Sequence, residues 1–102
     1  MIKLTVMYPN TEDLEFDKKY YTTEHSQLLS ELLGNAVKAS DINVGLTGAS
    51  PAQPAPYVVI ANLTFESLES FQQSFGVNAE KILADLPNFT NVKPVVQISE
   101  VL

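Results

Sequence analysis

The sequence predicts an α+β domain whose strands and helices follow one another in the order β-α-β-β-α-β. Strands are indicated where apolar residues alternate with others, as in Ile2–Tyr8, and where β-branched and aromatic residues form a run, as in Tyr57–Phe65. Two longer segments have apolar residues at helical spacing. This order is typical of the ferredoxin-like, split βαβ fold, a four-stranded antiparallel sheet with two helices on one face.

Helix-breaking and strand-breaking residues set the ends of these elements. Pro9-Asn10 ends the first strand, Gly34-Asn35 ends the first helix and Pro87-Asn88 ends the second. The predicted elements are a strand over 2–8, a helix over 16–33, a strand over 37–47, a proline-rich loop over 49–56, a strand over 57–65, a helix over 67–86 and a strand over 92–101.

Both predicted helices contain residues with a positional meaning. Asp17 is expected in the first turn of the first helix, where a carboxylate interacts favourably with the helix dipole. Gly76 and Val77 are expected to break or kink the second helix, and Asn78 is expected to cap its second half.

Composition limits the classes of function. The chain has 102 residues, which predicts a single domain over 1–102, and its net charge is −6 with no arginine. Proteins that bind phosphate groups are expected to carry a basic patch, so neither nucleic acid nor an anionic membrane is an expected partner. The absence of cysteine excludes disulfides and thiolate metal sites and fits a cytoplasmic location. Ile2–Tyr8 is too short for a signal peptide, and no segment has transmembrane length.

The strand Tyr57–Phe65 is apolar on both of its faces. Val59, Ala61 and Leu63 lie on one face, and Val58 and Ile60 lie on the other. A sheet with helices on only one side is expected to alternate more cleanly, so something is expected to cover its second face. The sheet of a second copy is the expected cover, which predicts a homodimer that forms a dimeric α/β barrel. The alternative is that the loop over 49–56 folds across this face.

His25 is the single histidine of the chain, and it lies near the middle of the apolar arc of the first helix. Its imidazole is therefore expected between helix and sheet, where it needs a hydrogen-bond partner or a polar cavity. Two interpretations follow. His25 is either a core residue with a satisfied hydrogen bond or a general acid/base that lines a ligand pocket.

Three other polar residues are candidates for binding a substrate next to His25. Tyr8 at the end of the first strand and Tyr21 on the first helix are expected to meet near His25, and Asn62 is an amide within an apolar strand. Each tyrosine is also a good core residue. No metal or cofactor is expected, because Glu24 and Glu31 point away from the His25 face and no glycine-rich phosphate loop is present.

Three stretches of the sequence together resemble the EthD family. They are KLTVMYPN over 3–10, FDKKYYTTEH over 16–25 and LPNFTNVKPVVQISEV over 86–101. The resemblance implies a dimeric α/β barrel, with His25 facing a small cavity between helices and sheet. It also implies chemistry on small organic molecules without cofactor or metal, because related members look like lactone isomerases and polyketide-type cyclases or dehydratases. One departure is Gln27, where family members often have proline.

The leading functional hypothesis is a cofactor-free isomerase, cyclase or lyase that acts on a small apolar or aromatic compound. His25 would serve as general acid/base, and Tyr8, Tyr21 and Asn62 would position the substrate. The alternative is a non-catalytic protein that binds a small ligand or assists a degradation pathway. Haem or oxygen chemistry fits poorly, because the chain offers one histidine and no arginine to hold haem propionates.

Overall fold

The computed structural model describes residues 1–102 and has the predicted βαββαβ order. Its strands form one antiparallel sheet in the order β2-β3-β1-β4, and two helices pack against one face of that sheet. The ferredoxin-like fold is thus confirmed. The strands are β1 (Ile2–Pro9), β2 (Val37–Val44), β3 (Tyr57–Phe65) and β4 (Val95–Glu100).

The first helix, α1, covers residues 18–33 and contains a π-turn. Lys18–Tyr20 and Ser26–Leu33 are α-helical, and Tyr21–His25 between them has π-helical hydrogen bonding. Asp17 is the N-cap and not a first-turn residue, since its side chain accepts a hydrogen bond from the Tyr20 N–H at 3.0 Å. The predicted start at residue 16 was therefore early.

Gly34 ends α1 as predicted. It is the one residue with a positive φ, 54°, a conformation in which glycine has no steric penalty. At the other end of the helix, Phe16 is kept out of it because it forms an isolated antiparallel bridge with Thr90.

The second helix, α2, covers residues 68–84 and also contains a π-turn, Gln72–Gly76, between Leu68–Phe71 and Val77–Ala84. The helix does not break at Gly76, because the backbone stays helical there, but it is irregular at this point, since a π-turn ends at Gly76. Asn78 is not a cap. Its side chain donates to the Ser74 carbonyl at 2.8 Å and to the Leu32 carbonyl of α1 at 3.3 Å.

Two strands are shorter than predicted. β2 ends at Val44, and at the next residue, Gly45, an added Cβ would lie 2.2 Å from the Tyr57 carbonyl oxygen. β4 begins at Val95, three residues after the predicted start. The loop over 49–56 is attached to the end of β1, because the Asn10 side chain donates to the Ala55 carbonyl at 2.9 Å.

The core lies between the helices and the sheet in two clusters. One cluster consists of Leu4, Leu33, Phe65, Phe71 and Ile82, and the other of Tyr8, Tyr21, Val59, Ala61 and Phe89. The opposite side of the sheet, here called the outer face, has no helix on it and carries side chains from alternate positions such as Thr5, Met7, Ile60 and Asn62. Neither helix is long and apolar enough to cross a membrane.

Candidate functional site

The π-turn of α1 places Tyr21 and His25 together. The Ser26 N–H donates to the Tyr21 carbonyl five residues back, and the Ser26 hydroxyl donates to the same oxygen at 2.9 Å. The Tyr21 and His25 rings stack with their centroids 5.3 Å apart and their planes 18° apart. His25 is only 4% exposed, as its position on the apolar arc predicted. Turns of this kind occur frequently at functional sites.

Asp85 is the hydrogen-bond partner of His25. Its Oδ2 lies 2.8 Å from His25 Nδ1, and it directly follows α2, so the pair joins the two helical segments. Its Oδ1 accepts a hydrogen bond from the Tyr20 hydroxyl at 2.7 Å and another from the Asn88 side chain at 2.9 Å. The Asp85 carboxylate is thus held by three side chains.

These hydrogen bonds keep Asp85 ionised. Burial acts to raise the pKa of Asp85, but hydrogen bonds from His25, Asn88 and Tyr20 outweigh it, so the pKa is lowered from 3.8. The hydrogen bond between Tyr20 and Asp85 raises the pKa of Tyr20, because the Tyr20 hydroxyl donates to the carboxylate. Asp85 therefore presents a negative charge to Nδ1 at neutral pH.

Asp85 was not predicted as a site residue, although its position near the end of the second predicted helix was one indication. A carboxylate at the C-terminal end of a helix opposes the helix dipole, so an aspartate at this position needs compensating contacts. Its partners lie up to 65 residues away along the chain, which residue spacing does not show.

A cavity of about 200 Å³ lies between α1 and the strands β2 and β3, and we call it the His25 cavity. Every fully buried polar side-chain atom has a hydrogen-bond partner. His25 Nε2 has no partner, so it is not one of these fully buried atoms. Nε2 is therefore the ring nitrogen left for a ligand. The cavity is lined by Tyr21, His25, Ser26, Leu29, Ser30, Leu33, Gly34, Val37, Ser40, Asp41, Ile42, Ala61 and Leu63.

Tyr8 and Tyr21 meet next to His25, as predicted, but only Tyr21 lines the cavity. Their ring centroids are 5.5 Å apart in an edge-on arrangement, and Phe89 packs on both rings. Burial raises the pKa of both hydroxyl groups, so both phenols stay protonated at neutral pH. Tyr21 thus contributes to the cavity wall, and the Tyr8 ring packs against it.

Asn62 does not join this group. It lies on the outer face, where its side chain accepts from the Thr5 hydroxyl at 2.8 Å and donates to the Asp41 carboxylate at 2.9 Å. Its neighbours Ala61 and Leu63 point the opposite way and line the cavity, as the alternation of a strand requires. The sheet thus separates Asn62 from His25.

Acidic groups around His25 are few. No three histidine, aspartate or glutamate side chains come together in an arrangement that would hold a metal ion. The aromatic rings of Tyr21 and Phe89 pack against the imidazole, with the Phe89 centroid 4.7 Å away.

The fold and the site define a ferredoxin-like protein in which a buried histidine, paired with a partly buried aspartate, lies beside a small cavity. The EthD domain model matches residues 9–93, and the chain belongs to the EthD family. An EthD-like protein from Ralstonia eutropha JMP134 is 36% identical with a TM-score of 0.91, over 99% of this chain and 91% of that chain. A comparison with curated proteins finds no match.

More distant structures share the fold. An EthD family protein from Bacillus halodurans C-125 is 17% identical with a TM-score of 0.68, over 100% of this chain and 99% of that chain. A protein from Arabidopsis thaliana is 16% identical with a TM-score of 0.70, over 100% of this chain and 96% of that chain.

Proposed function

We propose that this protein is a cofactor-free acid–base catalyst, an isomerase, cyclase or lyase, for a small apolar or aromatic compound bound in the His25 cavity. The observation that carries the proposal is that His25 combines a 2.8 Å contact to a carboxylate at Nδ1 with a position on the wall of a cavity. Isomerisation, cyclisation and dehydration all require a proton to be moved at carbon or oxygen.

His25 acts through Nε2 in this proposal. Because ionised Asp85 accepts the Nδ1–H, the neutral ring carries its lone pair on Nε2, which faces the ligand. Nε2 removes a proton from the substrate, and the imidazolium that forms is stabilised by Asp85 until it returns the proton. Asp85 is thus a positioning residue, and His25 is the catalytic one.

Tyr21 binds the substrate's oxygen in this proposal. Its hydroxyl stays protonated, because burial raises its pKa, so it can donate a hydrogen bond to a carbonyl. Tyr8 and Phe89 hold the Tyr21 ring from behind. Asn62 has no part in binding, since it lies on the outer face.

The proposal is tested by proton exchange, which needs no knowledge of the natural reaction. We expect the protein to catalyse hydrogen–deuterium exchange at carbon in some members of a panel of aromatic ketones and lactones in D₂O, followed by NMR. His25→Gln should lower the exchange rate by about 10²–10⁴-fold, because a positioned proton-transfer group is typically worth that much. The matched control is Phe75→Leu, a change at the second ring of the stacked pair in α2, which should leave the rate unchanged.

A specific outcome would favour the alternative function. If the panel compounds bind in the His25 cavity but none exchanges faster than in buffer, the protein is a non-catalytic binder of small ligands. The mostly apolar wall formed by Leu29, Leu33, Ile42 and Leu63 suits such a role as well.

We also propose that the working form is a homodimer whose outer faces meet. The support is the uncovered outer face, on which Met7 and Ile60 are neighbours across β1 and β3 and Val95 is 47% exposed on β4. Sedimentation equilibrium at micromolar concentration should give a dimer. Ile60→Lys should dissociate it, whereas Leu83→Lys, on an exposed position of α2, should not. A monomeric wild-type protein would contradict this proposal.

A further inference from the structure

The His25 cavity has no cation on its wall. Its ionisable lining residues are Tyr21, His25 and Asp41, and the chain has no arginine. Lys38, on β2 beside the cavity, is exposed and donates to the Asn35 carbonyl at 3.0 Å. The side chain of Asp41 turns to the outer face, where it pairs with Asn62. Only His25 is left as a source of positive charge.

His25 cannot give the cavity a net positive charge, because Asp85 is bound to it. When the imidazole is protonated, the pair with ionised Asp85 is neutral, and when the imidazole is neutral, the pair carries one negative charge. A ligand carboxylate in the cavity would therefore lose its hydration without gaining a cation. Burial of an unpaired charge is strongly unfavourable.

Hydrogen-bond donors and apolar surface are, by contrast, both present. Tyr21 and Ser30 have hydroxyls on the wall, and Leu29, Ile42 and Leu63 supply hydrocarbon. An apolar cavity of about 150 Å³ is large enough for benzene, so about 200 Å³ suits a single ring with a substituent.

We propose that the ligand of this cavity is a single-ring compound without an anionic group, with a hydroxyl or carbonyl group at the His25–Tyr21 end, and that the site rejects carboxylates. This inference rests on the function proposed above and names the substrate class for it. The specificity comes from Asp85, which cancels the only positive charge within reach, and from the absence of arginine or lysine on the wall.

Three probes of nearly equal size and shape test the charge requirement. Benzamide is neutral, benzoate is an anion and benzamidine is a cation at pH 7.5. Titrations followed by the NMR signals of the His25 ring and of the Leu29 and Ile42 methyl groups report binding at the cavity. We expect benzamide to bind at least about tenfold more tightly than benzoate, because benzoate loses a strong hydration shell without gaining a cation. Benzamidine should not share this loss, because the His25–Asp85 pair carries one negative charge when the imidazole is neutral.

A gain-of-function variant strengthens the test. Ser40→Lys places an ammonium group on the cavity wall and should raise the affinity for benzoate by about tenfold or more. The matched control is Asn43→Lys, on the same strand but at an outer-face position paired with Ile60, which should not change it.

The possible failures are distinguishable. Benzoate binding as tightly as benzamide, or benzamidine being rejected as strongly as benzoate, would overturn the charge inference and leave acid–base catalysis by His25 standing. No binding of any probe at the cavity would overturn the inference and also contradict the cavity as the proposed active site.

Discussion

The two helices of this protein share a backbone irregularity but use it differently. Each passes through a π-turn of five residues, Tyr21–His25 in α1 and Gln72–Gly76 in α2. Each also stacks two rings four residues apart, Tyr21 on His25 at 5.3 Å and Phe71 on Phe75 at 5.5 Å. The second pair continues into the core, because Phe71 packs edge-on against Phe65.

The first pair differs because it borders a cavity and reaches a charged partner. His25 bonds to Asp85 across the interface between helical segments, whereas Phe71 and Phe75 are apolar and pack with the core. The same local geometry thus supports packing of apolar rings in one helix and a histidine–aspartate contact beside a cavity in the other. Side-chain chemistry, and not the π-turn itself, makes the site.

The largest expected effect comes from breaking the second stack. Phe71→Ala should lower the free energy of unfolding by about 3–5 kcal/mol, because it removes a buried ring and leaves a cavity. Chemical denaturation measures the loss. Leu68→Ala, at a 47% exposed position of the same helix, is the control and should cost less than about 1 kcal/mol. If Phe71→Ala also shifted the His25 ring signals strongly, the two turns would not be independent.

The second-largest expected effect is a pH-dependent loss of stability when Asp85, the partner of the His25 ring, is replaced. Because the pKa of Asp85 is lowered from 3.8 in the folded protein, its ionised form contributes stability above that pH, and the contribution is lost as the pH falls through the lowered pKa. Asp85→Asn should cost about 1–3 kcal/mol at pH 7, since the charged hydrogen bonds to His25 and Tyr20 are lost.

The gap between wild type and Asp85→Asn should close below pH 3.8. Urea denaturation at a series of pH values checks this expectation. The control is Asp41→Asn on the exposed edge strand, which should change stability by less than about 0.5 kcal/mol at pH 7. A gap that stayed constant down to acid pH would show that Asp85 acts by shape and not by charge.

The smallest expected effect comes from replacing the serine that follows the first π-turn or the serine inside the second. Ser26 donates its hydroxyl to the Tyr21 carbonyl at 2.9 Å, and Ser74 donates to the Ser70 carbonyl at 2.7 Å. Either change to alanine should cost about 0.5–1.5 kcal/mol. Only Ser26→Ala should shift the His25 ring signals in NMR, because only Ser26 holds the carbonyl of the residue stacked on His25. Equal shifts from both variants would refute a positioning role for Ser26.

The fold was predictable because the residue patterns that indicate strands and helices lie within short segments of the sequence. Ile2–Tyr8 and Tyr57–Phe65 show their alternation or their apolar run directly, and the structure has both as strands. The π-turns were not predictable, because one shifted hydrogen bond hardly alters helical periodicity. The close approach of Gly45 to Tyr57 just after β2 joins residues 12 positions apart, which the local pattern does not contain.

The site was predictable only in part. His25 and Tyr21 share a helix, so their burial on one face followed from spacing. Asp85 belongs to the other βαβ half, and its contact with His25 depends on how the halves pack. Asn62 was chosen because it is polar within an apolar strand, but its partners Thr5 and Asp41 lie on neighbouring strands of the outer face.

The distance along the chain between His25 and Asp85 has a consequence for folding. The two residues are 60 positions apart, and the bonds of Thr90 to Glu15 and of Asn91 to Asp13 span 75 and 78 positions. Contacts of this kind form only after a long stretch of chain has closed, so they are costly in entropy and favoured late. A chain with only one ordered half has no His25–Asp85 pair, so this contact is a property of the completed domain.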